Sequence, residues 1–232
     1  IKKLADDLEL KYQSIHALFN KIDTLWEEGE EGDKEVERQI ECINGAASIG
    51  VDLVIMHCII GMDKHNPTDI GVQRFRKIID AAEKVNVTIA LENTEGEEYL
   101  DRLMKEFKSH KNVRFCIDTG HEMCYNHCHD LIGKYADKLI CTHLNDNMGQ
   151  TGDSVTWYDD SHLLPFDGIA DWTNIAMRLK KANYDGDLTF ELVRYNRPER
   201  STHDIYNNLT PEQYLLKAFA KAKQFRDLFN KI

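Results

Sequence analysis

Nine side chains able to hold a metal ion stand at or just beyond the ends of short apolar runs: His16, His57, Glu92, Asp118, His121, His143, Asp160, His162 and Glu191. Imidazole and carboxylate together suit zinc, manganese, iron or cobalt better than calcium. The oxygen-rich subset Glu92, Asp118, His143 and Glu191 would also accept magnesium. Two glutamates beside a bound divalent ion can shuttle a carbon-bound proton while the ion polarises the oxygens next to it.

Each residue also has a plainer use. Asp118, in Cys116-Ile117-Asp118-Thr119-Gly120-His121, could cap a helix, since aspartate favours that position. Glu92 could cap the helix after it. His16 or His57 alone could be a buried imidazole on a backbone carbonyl. Asp160 and His162 could be solvated loop residues. Glu191, inside Leu-Thr-Phe-Glu-Leu, is the hardest to explain this way, because a buried carboxylate needs a partner.

The elements that must position these residues alternate along the chain. The spacing predicts the end of a helix over 1–8, then strands over 12–17, 51–60, 87–91, 113–117, 139–144 and 188–192. Helices are expected over 33–49, from a cap within 66–69 to Val85, over 99–107 and 129–136, from Asp171 to Ala182, and from Pro211 onward with Leu215, Leu216, Phe219, Ala222, Phe225 and Leu228 on one stripe. Residues 20–32 and 145–168 read as polar loops. Strand–helix alternation predicts a parallel α/β sheet, and a closed (β/α)8 barrel would bring every strand end to one face. Six strands are visible where eight are needed. A first strand is expected to precede Ile1 or to be lost, and a short one to lie within 145–168 or just after Glu191. An open doubly wound sheet is the alternative, although no glycine-rich phosphate turn follows the first strand.

Composition bounds the rest. The 232 residues are 42% hydrophobic and 30% charged, enough for one domain over 1–232. No run approaches the roughly 18 apolar residues of a membrane span. The net charge of −11 argues against a nucleic-acid-coating protein. Cys58, Cys116 and Cys141 fall in apolar runs, where cysteine serves as a small hydrophobe. A reducing, cytoplasmic setting is therefore expected. Cys124 and Cys128, flanked by His127 and His129, form a weaker candidate for a separate zinc site, with no second pair at finger-like spacing.

Five segments in order carry a resemblance: Ala-Leu-Glu92-Asn-Thr, Cys-Ile-Asp118-Thr-Gly-His121, Thr-His143-Leu-Asn-Asp146, Pro165-Phe-Asp-Gly168-Ile-Ala-Asp-Trp172 and Thr-Phe-Glu191-Leu. With them the chain resembles the xylose isomerase-like TIM-barrel superfamily from His16 to the last helix. That superfamily groups sugar and sugar-phosphate isomerases and epimerases with the endonuclease IV type of apurinic-site nuclease (AP endonuclease family 2). In the ketose 3-epimerase branch the resemblance implies metal ligands at Glu92, Asp118, His143 and Glu191. The two glutamates would be the acid/base pair acting through a metal-bound enediolate, with His121 facing substrate. In the nuclease branch all nine residues would hold a trinuclear zinc cluster.

Three features favour sugar chemistry: the acidic stretch Glu27, Glu28, Glu30, Glu31 and Asp33, the short link from Glu92 to Asp118, and the tail from Tyr195 through Arg197 to Tyr214. One feature departs from the epimerases. No arginine stands between His143 and Leu164, and Arg194 is the candidate substitute. The resemblance thus implies a divalent-metal-dependent isomerase or epimerase, with zinc or manganese foremost and a sugar or sugar phosphate as partner. The alternatives are an abasic-site phosphodiesterase and a metal-dependent sugar-binding barrel without turnover.

Overall fold

Strands and helices alternate in the computed structural model, which describes residues 2–61, 66–150 and 152–232. Ile1 and Thr151, at the predicted first helix and in the predicted long loop, lie outside the described residues. The chain divides into two units, Ile1–Phe115 and Cys116–Ile232.

The first unit opens with α1 (Lys2–Asp7), which buries none of its side chains. Strand β1 (Ile15–His16) is far shorter than the predicted 12–17. Ile15 and His16 are the residues in register with the next strand, with the Ala17 N–H donating to the Ile55 carbonyl just beyond. The acid-rich segment predicted as a loop contains a 3-10 helix, Ile22–Trp26, that buries Ile22, Leu25 and Trp26. Its carboxylates stay outside. Helix α2 (Glu30–Ser48) starts three residues before the predicted Asp33, because Glu30, Glu31 and Asp33 all favour a helix first turn.

Strand β2 (Leu53–His57) is the middle of the predicted apolar run. Helix α3 (Asp69–Lys84) is capped by Thr68, whose hydroxyl accepts from the Gly71 N–H and donates to the Trp26 carbonyl. A Cβ at Gly71 would lie 2.0 Å from the Trp26 ring, so only glycine lets α3 pack there. Trp26 in turn donates to the Cys58 carbonyl and contacts Phe75 and Tyr99. Strand β3 (Thr88–Glu92) follows, then α4 (Glu97–Glu106). Gly96, in the left-handed region at φ 77°, precedes α4, so Glu92 is not its cap. β1, β2 and β3 are successive parallel neighbours, and His57 pairs in register with Glu92. Parallel pairing brings the ends of these strands, and so His16, His57 and Glu92, to one edge.

Strand β4 (Val113–Asp118) carries the chain into the second unit. Helix α5 (Thr119–Cys124), outside the predicted helix spans, follows at once with Asp118 as its N-cap. α6 (Leu131–Lys134) is shorter than the predicted 129–136, and β5 (Leu139–His143) ends on His143. The 145–168 segment is a loop with internal order: an antiparallel bridge joins Asp146 to Leu163, and a 3-10 turn covers Trp157–Asp159. The predicted strand 188–192 is reduced to one parallel bridge, Leu144 with Phe190, flanked by two backbone hydrogen bonds. α7 (Trp172–Lys181) is capped by Asp171 as predicted. α8 (Pro211–Lys231) starts at a Thr210–Gln213 capping box. The α8 stripe is partly misread. Tyr214, Ala218 and Phe225 face inward, while Leu215, Leu216 and Phe219 are exposed. Phe225 fills the space beside Trp172 and Phe190. No helix among the described residues is long and apolar enough to cross a membrane.

Candidate metal centre

Among the described residues, each of the five strands ends on a metal-competent side chain: His16, His57, Glu92, Asp118 and His143. In the first unit the Glu92 carboxylate is wholly buried, with one oxygen 3.1 Å from His16 Nε2 and 3.4 Å from His57 Nε2. His16 Nδ1 lies 2.8 Å from its neighbour's carbonyl, that of Ala17, and must donate to it. In neutral His16 the Nε2 lone pair would then face a carboxylate oxygen, two acceptors together. A proton or a cation has to lie between them. Phe19 stacks on His57, their ring centroids 4.5 Å apart, and meets His16 edge-on.

In the second unit Asp118 is fully buried and both its oxygens are engaged. One accepts from the His121 backbone N–H at 2.7 Å, and the other from the Asn145 side-chain amide at 2.8 Å. The capping reading of Asp118 is therefore correct. Thr119 and Asn145 lock the adjacent backbones together through the Thr119 hydroxyl. A Cβ at Gly120 would fall 2.0 Å from Asn145 Oδ1, which explains the glycine of Asp-Thr-Gly-His.

Asp160 and His162 are not solvated loop residues. Asp160 Oδ2 lies 3.3 Å from His121 Nε2 and 2.9 Å from His162 Nε2. Burial alone would raise the Asp160 pKa, but the two imidazoles hold it well below the carboxylate range. Burial likewise opposes charge on His162, and the Asp160 carboxylate outweighs it, pushing the imidazole up to about 9. His162 sits at φ 52°, a left-handed backbone that costs a side-chain-bearing residue of order 1 kcal/mol and aims its ring. His143 Nδ1 lies 3.0 Å from the Glu191 carboxylate, which is partly exposed.

Within the units, two groups of three donors each bring one ligand atom within 4.8 Å of the others: His16, His57 and Glu92, and Asp118, His121 and His162. The donor chemistry fits a divalent ion. So does the orphaned Oδ1 of Asp160, buried without a hydrogen-bond partner. The second unit thus gathers Asp118, His121, Asp160 and His162, and pairs His143 with Glu191. The expected four-ligand set takes Glu92 from the first unit and Asp118, His143 and Glu191 from the second.

Among the described residues, Cys124, Cys128, His127 and His129 do not come together as a ligand group. Cys124 is buried, donating to the Asp159 carbonyl and accepting from Asn147, while Cys128, His127 and His129 are exposed. None of the six cysteines forms a disulfide, and Cys58, Cys116 and Cys141 are buried as expected. Arg194, the candidate substitute arginine, donates to the Leu209 carbonyl. The arginine at the donor cluster is Arg197, whose Nε donates to the Asp160 carbonyl at 2.7 Å. Sequence reasoning gave no role to Arg197, Asn145 or Phe19. Asn145 stood within the Thr-His143-Leu-Asn-Asp146 segment, but nothing in the segment linked it to Asp118.

Comparison with known proteins bears on the fold and the family. The chain is 30% identical over 174 residues to the uncharacterized protein y4fM of Sinorhizobium fredii, covering 68% of this chain and 53% of the relative. It spans 53% and 63% of the lengths of two curated relatives. Among solved structures it is similar to a D-tagatose 3-epimerase-like protein (TM-score 0.71, 21% identity, 99% of this chain and 82% of that one). It is also similar to the IOLI protein with a binding zinc atom (TM-score 0.71, 20% identity, 99% and 81%). At these identities the solved structures establish the fold alone, a barrel rather than an open sheet. Residues 1–212 match the family described as the xylose isomerase-like TIM barrel, and the chain belongs to that family.

Proposed function

We propose that the chain is a divalent-metal-dependent isomerase or epimerase acting on a sugar or sugar phosphate, with residues 1–232 working as one domain in the cytoplasm. The observation that carries this reading is a metal-competent side chain at the end of each of the five strands among the described residues. The acidic residues 27, 28, 30, 31 and 33 are all exposed, which favours a small substrate over a polyanion. Sugar epimerases and a zinc-binding protein among the solved structures of like fold support it further.

In this reading Glu92, Asp118, His143 and Glu191 hold the ion, zinc or manganese foremost, with magnesium, cobalt or iron as alternatives. When bound, the ion supplies Lewis-acid polarisation of neighbouring hydroxyl and carbonyl oxygens. Glu92 and Glu191 move the proton. One carboxylate takes it from the carbon beside the carbonyl and the other returns it. The complete burial of Glu92 keeps water from competing for that proton, while the exposed edge of Glu191 leaves room for substrate. Metal-loaded protein should exchange solvent deuterium into at least one member of a broad panel of ketoses and ketose phosphates. No exchange across the panel would overturn the reading.

The donors beyond the four-ligand set favour a second reading, a multinuclear zinc centre that hydrolyses phosphodiesters at abasic sites. The Asp118–His121–His162 group with Asp160 is the specific support for it. Metal content per chain separates the two. One ion fits sugar chemistry, whereas three ions with chelator-sensitive nicking of an abasic duplex fit the nuclease.

A further inference from the structure

Arg197 is held at the rim of the second unit's donor cluster in a way that leaves its head unspent. Its Nε donates to the Asp160 carbonyl, and its guanidinium carbon lies 5.7 Å from the centre of the Trp157 ring. Its Nη2 is 3.7 Å from Asp160 Oδ2, an ion-pair approach too long for a hydrogen bond. Among the described residues, neither terminal nitrogen of Arg197 has a hydrogen-bond acceptor within reach, and 24% of the side chain is exposed. The Asp160 Oδ2 atom is already met at shorter distances by His121 and His162.

A guanidinium pinned at Nε and against an aromatic face presents its outer N–H edge in a fixed direction. That planar edge matches the oxygens of a phosphate or carboxylate, and pre-organisation lowers the entropy lost on binding. The carrier is otherwise strongly acidic, with a net charge of −11. A fixed cation beside the metal-competent residues is therefore the local exception that would admit an anionic substrate. Resting on the sugar isomerase reading above, we propose that Arg197 forms an oxyanion subsite and that the substrate is a ketose bearing a phosphate or carboxylate group.

The test has a binding arm and a turnover arm. Trp157 is the exposed one of the three tryptophans, Trp26 and Trp172 being buried, so its fluorescence reports events at Arg197. Inorganic phosphate should quench it saturably in the metal-loaded full chain. Arg197→Met should weaken that binding at least tenfold and Arg197→Lys less, with far-UV circular dichroism confirming that both variants fold. Equal phosphate binding by wild type and Arg197→Met, or no binding by either, overturns the subsite, whatever the enzyme turns over.

In the turnover arm, deuterium exchange is compared for a free ketose, its phosphate and the corresponding keto-uronate. The wild type should favour one anionic member, which identifies phosphate or carboxylate, and Arg197→Met should cut that preference at least tenfold. A wild-type preference for the neutral ketose, or a preference that survives the substitution, overturns the assignment. Phosphate binding that depends on Arg197, with no exchange into any sugar, would instead leave the subsite standing and overturn the isomerase reading.

Discussion

At the scale of single residues, the donors depend on neighbours that have no chemistry of their own. Asp118 is aimed by Asn145, and Asn145 has room only because residue 120 lacks a Cβ. Gly120→Ala should displace the Asn145 amide from Asp118 and cost about 1–3 kcal/mol, as overpacking does. Chemical denaturation together with a zinc titration will show it as lower stability and weaker affinity in the same variant. Glu191 tests the proposed proton transfer more directly. Glu191→Gln keeps the shape and removes the base, so exchange activity should fall roughly 10²–10⁴-fold. A smaller fall at full metal occupancy would remove Glu191 from the acid/base role.

Elements are held in place by buried charge as much as by apolar packing. Arg74 on α3 is 3% exposed and donates to the carbonyls of Thr24, Leu25, Glu27 and Gly29, with Asp33 as ion partner. It ties the acidic segment to α3. Arg74→Met leaves those carbonyls without their donor and should destabilise the protein by about 3 kcal/mol, read as a lower denaturation midpoint. Asp167 does similar work against α8, where Lys217 and Lys221 reach it at 3.1 and 2.6 Å. Burial raises its pKa, but the two lysines outweigh that and hold it below the ordinary 3.8. Since the folded value is depressed, the stabilisation is present above 3.8 and lost as pH falls through the folded value. The stability gap between wild type and Asp167→Asn should therefore be open at neutral pH and close in acid, as measured by urea unfolding across pH.

For the whole molecule, the burial of so many like-charged donors makes stability depend on what they hold. Glu92, Asp118 and Asp160 are all buried. A cation that binds the folded state alone adds about 2.7 kcal/mol at a hundredfold excess over its dissociation constant. Chelation should thus lower Tm, and readdition of zinc or manganese should restore it in a concentration-dependent way. A Tm indifferent to chelator and metal would mean that the donors are satisfied by protons alone.

The sequence by itself determined the rhythm of strands and helices and singled out nine candidate donor positions, because apolar periodicity and polar interruptions are local properties of a chain. His57, Glu92, Asp118 and His143 are legible as donors since each breaks or ends a strand that must otherwise be apolar. It also led to the family, through segments whose order is visible without coordinates. Only the tertiary structure decided what long-range contact governs. The predicted strand around Glu191 shrank to one bridge, because strand length is set by the partner's hydrogen bonds and not by propensity. Asp160 and His162 proved to be buried although they lie on a loop, and His121, 39 residues before Asp160, meets its carboxylate. The arginine at the cluster proved to be Arg197 and not Arg194, three residues apart on one loop. Their sequence environments are alike, and what distinguishes them is which carbonyl each side chain meets, that of Asp160 or that of Leu209.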